Sequence, residues 1–320
     1  MHQVLDCTIS DLELTKCTAH FVPENDVYYF RDAELMETFL KLGIPVYNRE
    51  ELHASFPGFG LMYRTLYMTW KIPEDAYVVL LQQRQLDRIS DEQRLQLFRQ
   101  QVALKRGHVY DERWIEAFAP PVRHIVTVEN QRYYLLTTDD WQLFSEETRQ
   151  QWVLKWLKEW NKDDPRGIRN FSRKHASVPY ALLDVYASTF AGESGPNCFA
   201  AAIAAVVAGI GQDLEQSQTL IRHWLHQAPF FRLLSAQGYT KYTECQTTAD
   251  LQSMQPADVL VWCTGEGEAG HAAFVVDDGL VFQKHGQGIE DPWQVLRIED
   301  IWYNEYLKTD GHIAIYRRCS

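Results

Sequence analysis

"ESGPNCFAAAIAAVVAGIG", residues 193–211, sets a single cysteine between a turn-forming cluster and an alanine-rich apolar run. Gly195, Pro196 and Asn197 favour a turn, and the run from Phe199 has the composition of a buried helix. Cys198 therefore stands where a loop delivers the chain into a helix. The amides left unbonded there, together with the helix dipole, stabilise an anion, so a thiol at this point is helped to ionise and its own amide can bind an oxyanion. Ala200, Ala201, Ala202, Ala204 and Ala205 let the helix lie close beneath a sheet. The same position also suits an ordinary small residue, because cysteine is among the most buried residue types.

Helical patterns dominate from Cys198 to about Gln237, with "DLEQSQTLIRHWLHQ" following the first helix. Strand patterns come next: "DVLVW" (258–262), "HAAFVV" (271–276), "LVFQKH" (280–285), "WQVLRI" (293–298) and "HIAIYRR" (312–318). Asp277, Asp278 and Gly279 between two of them predict a tight turn. Helices first and an antiparallel sheet afterwards predict an α+β domain over 178–320. A nucleophilic thiol needs a base. His271 follows Gly270 and opens an apolar strand, and His312 follows Gly311 in the same way. Local sequence does not separate the two.

Residues 1–160 read as a mixed α/β domain to which no chemistry attaches. "AYVVLLQQ" (76–83) predicts a strand, and "SDEQRLQLFRQQVALKRG" (90–107) a helix capped by Ser90 and stopped at Gly107. "HIVTVENQRYYLLTT" (124–138) predicts a hairpin turning at Glu129 and Asn130, and the aromatics Tyr28, Tyr29 and Phe30 read as core. A helix over "EETRQQWVLKWLKEW" shows one broad apolar face. The polar stretch 158–179, with Pro165, Gly167 and Pro179, then marks the domain boundary.

At 320 residues the chain is long for one core, and 46% hydrophobic with 13% aromatic residues predicts a well-packed protein. A net charge of -12 disfavours nucleic-acid backbones and anionic membranes, and favours a neutral or cationic small substrate. The start, "MHQVLDCTISDLELTKC", has no basic region ahead of an apolar stretch, and Phe199–Ile210 is too short to span a bilayer, so a cytoplasmic location is expected. Six irregularly spaced cysteines without a CxxC pair predict neither a disulfide scaffold nor a thiolate metal site. No metal or organic cofactor is implied, and oligomeric state is not legible.

The helix start at Cys198, "PADVLVW" (256–262) and "GHAAFVVDDGLVF" (270–282) together resemble the NlpC-type papain-like cysteine peptidases. That resemblance implies a nucleophile helix packed on an antiparallel sheet. It implies Cys198 as nucleophile, His271 as base and Gln283, twelve residues on, as the group that orients the imidazole. His285 shares a strand face with Gln283 and is the alternative third residue. Tyr186, twelve residues before Cys198, matches a tyrosine that touches the site, and Asn197 or Tyr186 would support the oxyanion. The chain has Asn197-Cys198-Phe199-Ala200 where the family has Asp-Cys-Ser-Gly, and Ala257 where it has the glycine of a Pro-Gly-Asp turn.

The activity so implied is hydrolysis of an amide or peptide bond through a thioester, on a cell-wall-type or other small peptide. Transfer of the acyl group to an amine, and an inactive binding or regulatory module, are the alternatives. "GEGEAG" (265–270) satisfies G-x-G-x-x-G, but a strand pattern follows where a dinucleotide site requires a helix. His223 and His226 read as a surface pair, and Trp262, Trp293, Trp302 and Tyr303 as core. Asp258 reads as a turn-holding residue.

Overall fold

The computed structural model describes residues 1–55, 61–162, 181–211, 213–246, 251, 253–277, 279–302 and 311–319. Most of the 158–179 boundary stretch, Asp278 and Tyr303 lie outside the described residues. The chain divides into two compact units, Thr15–Lys155 and Met1–Leu14 with Trp156–Ser320. Where the sequence suggests a cut near 160, the first fourteen residues thus group with the C-terminal portion. Both units mix helix and strand, and every ladder between named strands is antiparallel.

The chain opens on a hairpin, β1 (His2–Val4) and β2 (Cys7–Ile9), paired from His2↔Ile9 to Val4↔Cys7. In the Thr15–Lys155 unit β3 (Asp26–Phe30) pairs with β4 (Tyr77–Leu81). A second sheet has the order β5 (Val109–Tyr110), β7 (Gln131–Leu135), β6 (Ile125–Val128). All five residues of β3 are buried: Tyr28 and Phe30 share a core with Leu97 and Phe98 of the Asp91–Ala103 helix, while Val27 and Tyr29 pack with Leu52 and Tyr67. Ser90 and Gln93 form the capping box at the start of that helix. The helix stops at Ala103, four residues before Gly107, and Lys105 takes the left-handed turn at φ 53°. Glu129 and Asn130 sit at φ 49° and 64°, the paired positive angles that a two-residue hairpin needs.

In the other unit the Cys198–Gly211, Leu214–Leu220 and Gln227–Ala236 helices precede a six-stranded sheet. Its strands are β8 (Tyr239–Cys245), β9 (Val259–Cys263), β10 (Ala269–Asp277), β11 (Leu280–Lys284), β12 (Trp293–Arg297) and β13 (His312–Arg318), in the order β12-β11-β10-β9-β13-β8. Gly279, at φ 68°, turns β10 into β11. One sheet face carries Val259, Val261, Ala272, Phe274, Val276, Phe282, Trp293 and Val295, which pack on the alanine side of the Cys198–Gly211 helix. The other carries Leu260, Trp262, Ala273, Val275, Val281, Leu296, Ile313 and Ile315, under Ile298 and Ile301.

Beyond β12 the sheet edge is covered. Ser188 and Thr189 exchange backbone hydrogen bonds with Trp293, at 2.7 and 2.9 Å, and Thr8 bonds Ser188 and Phe190 at 2.9 Å each. The N-terminal hairpin so continues the sheet past β12 and satisfies an edge that would otherwise expose its backbone. At the opposite edge lies β8, a strand absent from the sequence-based expectation. Five of its seven residues, Thr240–Glu244, are at least partly exposed and polar or tyrosine, so it lacks an apolar alternation.

Candidate active site

Asn197 closes the loop that leads into the Cys198–Gly211 helix. Its Oδ1 accepts from the Ala200 amide at 3.1 Å, an N-cap bond, and from the Leu225 amide at 3.4 Å. Its Nδ2 donates to the Leu225 carbonyl at 2.7 Å. One side chain therefore fixes both the helix start and the 222–226 loop. The thiol that follows is buried, 7% exposed, beneath that loop junction. Burial pushes the Cys198 thiol up to about 11, against the opposing pull of the amides of Ala272, Phe199 and Cys198 itself and of the Lys284 ammonium. The helix start thus gathers anion-stabilising donors around Sγ, and the resting thiol is protonated.

Lys284 is the charged group on the thiol's face. It pairs across the sheet with Trp293, a member of the Cys198 core, and so points to the side of the nucleophile helix. It is fully buried. Its Nζ donates to the carbonyls of Gly288 at 2.6 Å and Gly286 at 3.2 Å, and lies 6.0 Å from the Trp293 ring centre. Burial lowers its pKa, opposed by Asp291, Glu290 and the Cys198 thiolate. The Asp291 carboxylate lies against Gly286 and that of Glu290 against Gly288, where a Cβ would displace them. The loop also takes the Gly195 amide on the Gln287 carbonyl at 2.8 Å, joining it to the turn ahead of Cys198.

His271, the base that the resemblance implies, is placed by its cross-strand partner. His271 is directly opposite Trp262 in the β9–β10 ladder, and the two rings meet edge to face at 5.1 Å. Trp262 belongs to the second sheet face, so alternation places His271 there too, while Ala272 faces the thiol. Gln283, one residue before Lys284, shares the His271 side, and the His285 ring lies 5.8 Å from that of His271. Gln283 is fully buried, and its amide makes no hydrogen bond among the described residues. The structure thus brings His271, Gln283 and His285 to one side of the sheet and Cys198, Asn197, Tyr186 and Lys284 to the other. Cys198 and His271 are the pair that the resemblance implies, and strand parity sets Lys284 on the side of Cys198.

Tyr186 does flank the thiol's core. Its ring meets Trp293 at 5.1 Å, and its hydroxyl accepts from Arg222 Nε at 3.3 Å. His312 pairs with Cys263 and lies 3.4 Å from Glu244. Asp258 holds the Gln255 amide at 2.8 Å and takes a two-point clasp from Arg317 at 2.8 and 2.6 Å, so it is a turn anchor. Beside it Ala257 adopts φ 71°, the left-handed angle for which glycine is the easier residue. Gly265 and Gly267 belong to the β9–β10 turn, and Gly270 lies within β10. The His226 and Trp224 rings meet at a tilt of 50°, 4.2 Å apart. Among the described residues no three His, Cys, Asp or Glu side chains converge to hold a metal, and no helix is long and apolar enough to cross a membrane.

No family model, curated protein or solved structure matches the chain. Sequence reasoning missed Lys284, Arg222 and Glu13. A lysine within the apolar run "LVFQK" was the available signal for the first, because a buried ammonium needs a reason to be there.

Proposed function

We propose that the C-terminal unit is a papain-like, cysteine-dependent hydrolase of amide or peptide bonds, with Cys198 as nucleophile and Lys284 as its proton carrier. The observation that carries this is the environment of one thiol: helix-start amides and a buried lysine bear on Sγ from the same side of the sheet. Transfer of the thiol proton to the amine form of Lys284 leaves a thiolate paired with the Lys284 ammonium. The thiolate then attacks the carbonyl carbon, and the amides of Cys198 and Phe199 take the oxyanion. As the C–N bond breaks, the Lys284 ammonium returns its proton to the leaving amine, leaving a thioester on Sγ. Water resolves the thioester to a carboxylic acid, and an amine in its place gives acyl transfer. The acidic chain favours a neutral or cationic substrate, and the sparse cysteines suit the cytoplasm.

A second reading is a binding module with the same architecture and no turnover. It is favoured by the thiol's high pKa and by the position of His271 across the sheet. Incubation with a panel of short peptide amides, with and without a primary amine, separates the two by intact-mass spectrometry. The hydrolase reading expects an acyl adduct on Cys198, lost in Cys198→Ala and diverted by the amine. No adduct or product across the panel, with binding retained in Cys198→Ala, would leave the binding module.

A further inference from the structure

We infer that Glu13, in the N-terminal segment, is a positioning residue for the Cys198 thiol, 185 positions away along the chain. The inference rests on the reading of Cys198 as the reactive group. Two loops flank that thiol, 192–197 and 222–226, and Asn197 staples them at one end through its two-way contact with Leu225. Glu13 staples them at the other. Its Oε2 accepts the Gly192 amide at 2.8 Å, and its Oε1 accepts Arg222 Nη1 at 2.8 Å. The side chain is itself buried, 9% exposed. Five residues therefore close a ring, Glu13–Gly192 through the loop to Asn197, across to Leu225, and back through Arg222 to Glu13.

The fit is tight where the segments cross. A Cβ on Gly192 would come within 2.5 Å of the Glu13 carbonyl oxygen and 2.8 Å of its Cα, so only glycine lets the N-terminal segment approach. The ring also reaches the thiol's core on a second side, because Arg222 Nε donates to the Tyr186 hydroxyl and Tyr186 packs on Trp293, the cross-strand partner of Lys284. Thr8 anchors the same segment to the sheet edge through Ser188 and Phe190. Glu13 thus holds the loop that ends on Cys198 and the arginine that holds Tyr186, from a segment outside the contiguous C-terminal sequence.

The test is the pH profile of Cys198 alkylation by iodoacetamide, read on the Cys198 peptide by mass spectrometry and needing no substrate. In Glu13→Ala the profile midpoint falls toward that of an exposed thiol, about 8.5, and alkylation at pH 7.5 rises about tenfold. Amide turnover, where present, falls about tenfold in the same variant. Glu13→Gln keeps an acceptor for the Gly192 amide and lies between; it carries the test if Glu13→Ala does not fold. Arg222→Ala reproduces the shift, and the double variant adds nothing to it, as expected for partners in one ring. Asp11→Asn, two residues before Glu13 at a carboxylate 79% exposed, leaves the profile in place. An unmoved midpoint and rate in folded Glu13→Ala, or single effects that multiply in the double variant, would overturn the inference. Failure of the hydrolase reading shows separately, as turnover that survives Cys198→Ala.

Discussion

Arg106 in the Thr15–Lys155 unit and Lys284 in the other are both buried cations, and their surroundings differ in kind. Arg106 donates to the carbonyls of Gly107, Val27 and Leu136, at 3.0 Å each, and lies over the Tyr28 and Tyr67 rings. Nearby Asp26 accepts from the Tyr67 hydroxyl at 2.7 Å and the Thr138 amide at 3.0 Å. His108 is bonded on both nitrogens, to Tyr110 at 3.0 Å and Phe21 at 3.1 Å. These groups hold strands and loops together, and none faces a nucleophile. Lys284 is held by two glycine carbonyls, and the charges of Asp291, Glu290 and the Cys198 thiolate act on it. Under the proposed function, the difference is that Lys284 bears on a group that can react and Arg106 does not.

The comparison breaks first, and most heavily, at Arg106. Arg106→Met leaves Asp26 buried without its cation and is expected to cost about 3–5 kcal/mol in urea unfolding. A cost below about 1 kcal/mol would mean the network is not what holds that unit. Lys284→Met has the opposite profile: amide turnover falls about a hundredfold or more, with a smaller loss of stability than Arg106→Met. Equal turnover in the variant and the parent would remove Lys284 from the chemistry.

Acid sharpens the contrast. Burial and the Arg106 charge lower the His108 pKa from 6.5 to about 3, so the fold favours the neutral ring. Its contribution is therefore complete above pH 6.5 and drains away as pH falls toward 3, by about 2 kcal/mol at pH 5. In His108→Gln the stability profile should flatten over that range, measured by thermal melts from pH 7 to 4. The thiol acts at the other end of the scale. With Cys198 raised to about 11, its contribution is complete below about pH 9 and lost between 9 and 11, and Cys198→Ala should remove that part of the alkaline slope. The smallest effect falls on Asn197→Ala, which loses one helix cap, about 1 kcal/mol, and should speed Cys198 alkylation by loosening the 222–226 loop.

Much of the architecture was legible because it is local. The "HIAIYRR" strand runs from 312 to 318 as expected, and Glu129–Asn130 turns its hairpin, because alternation and left-handed turn residues act within a few positions. The helix start at Cys198 was legible for the same reason. The side of the sheet on which Lys284 falls was not, since it depends on the parity of a strand relative to a helix packed from elsewhere. Gln283 and His285 do share a face with His271, but Lys284 between them faces Cys198. The hairpin of His2–Ile9 and the Glu13–Arg222 pair, 209 residues apart, leave no local signature at all. Three-residue strands at a sheet edge draw their definition from the partner they cover.

The central claim, that Lys284 and not His271 governs the Cys198 thiol, is tested most directly by alkylation of Cys198 across pH in the parent protein, Lys284→Met and His271→Ala. Removal of the ammonium from the thiol's side should raise the midpoint and slow the reaction at pH 7.5 about tenfold, because a thiolate loses its nearest cation. His271→Ala should leave the midpoint where it was. A midpoint that moves in His271→Ala and stays fixed in Lys284→Met would contradict the account.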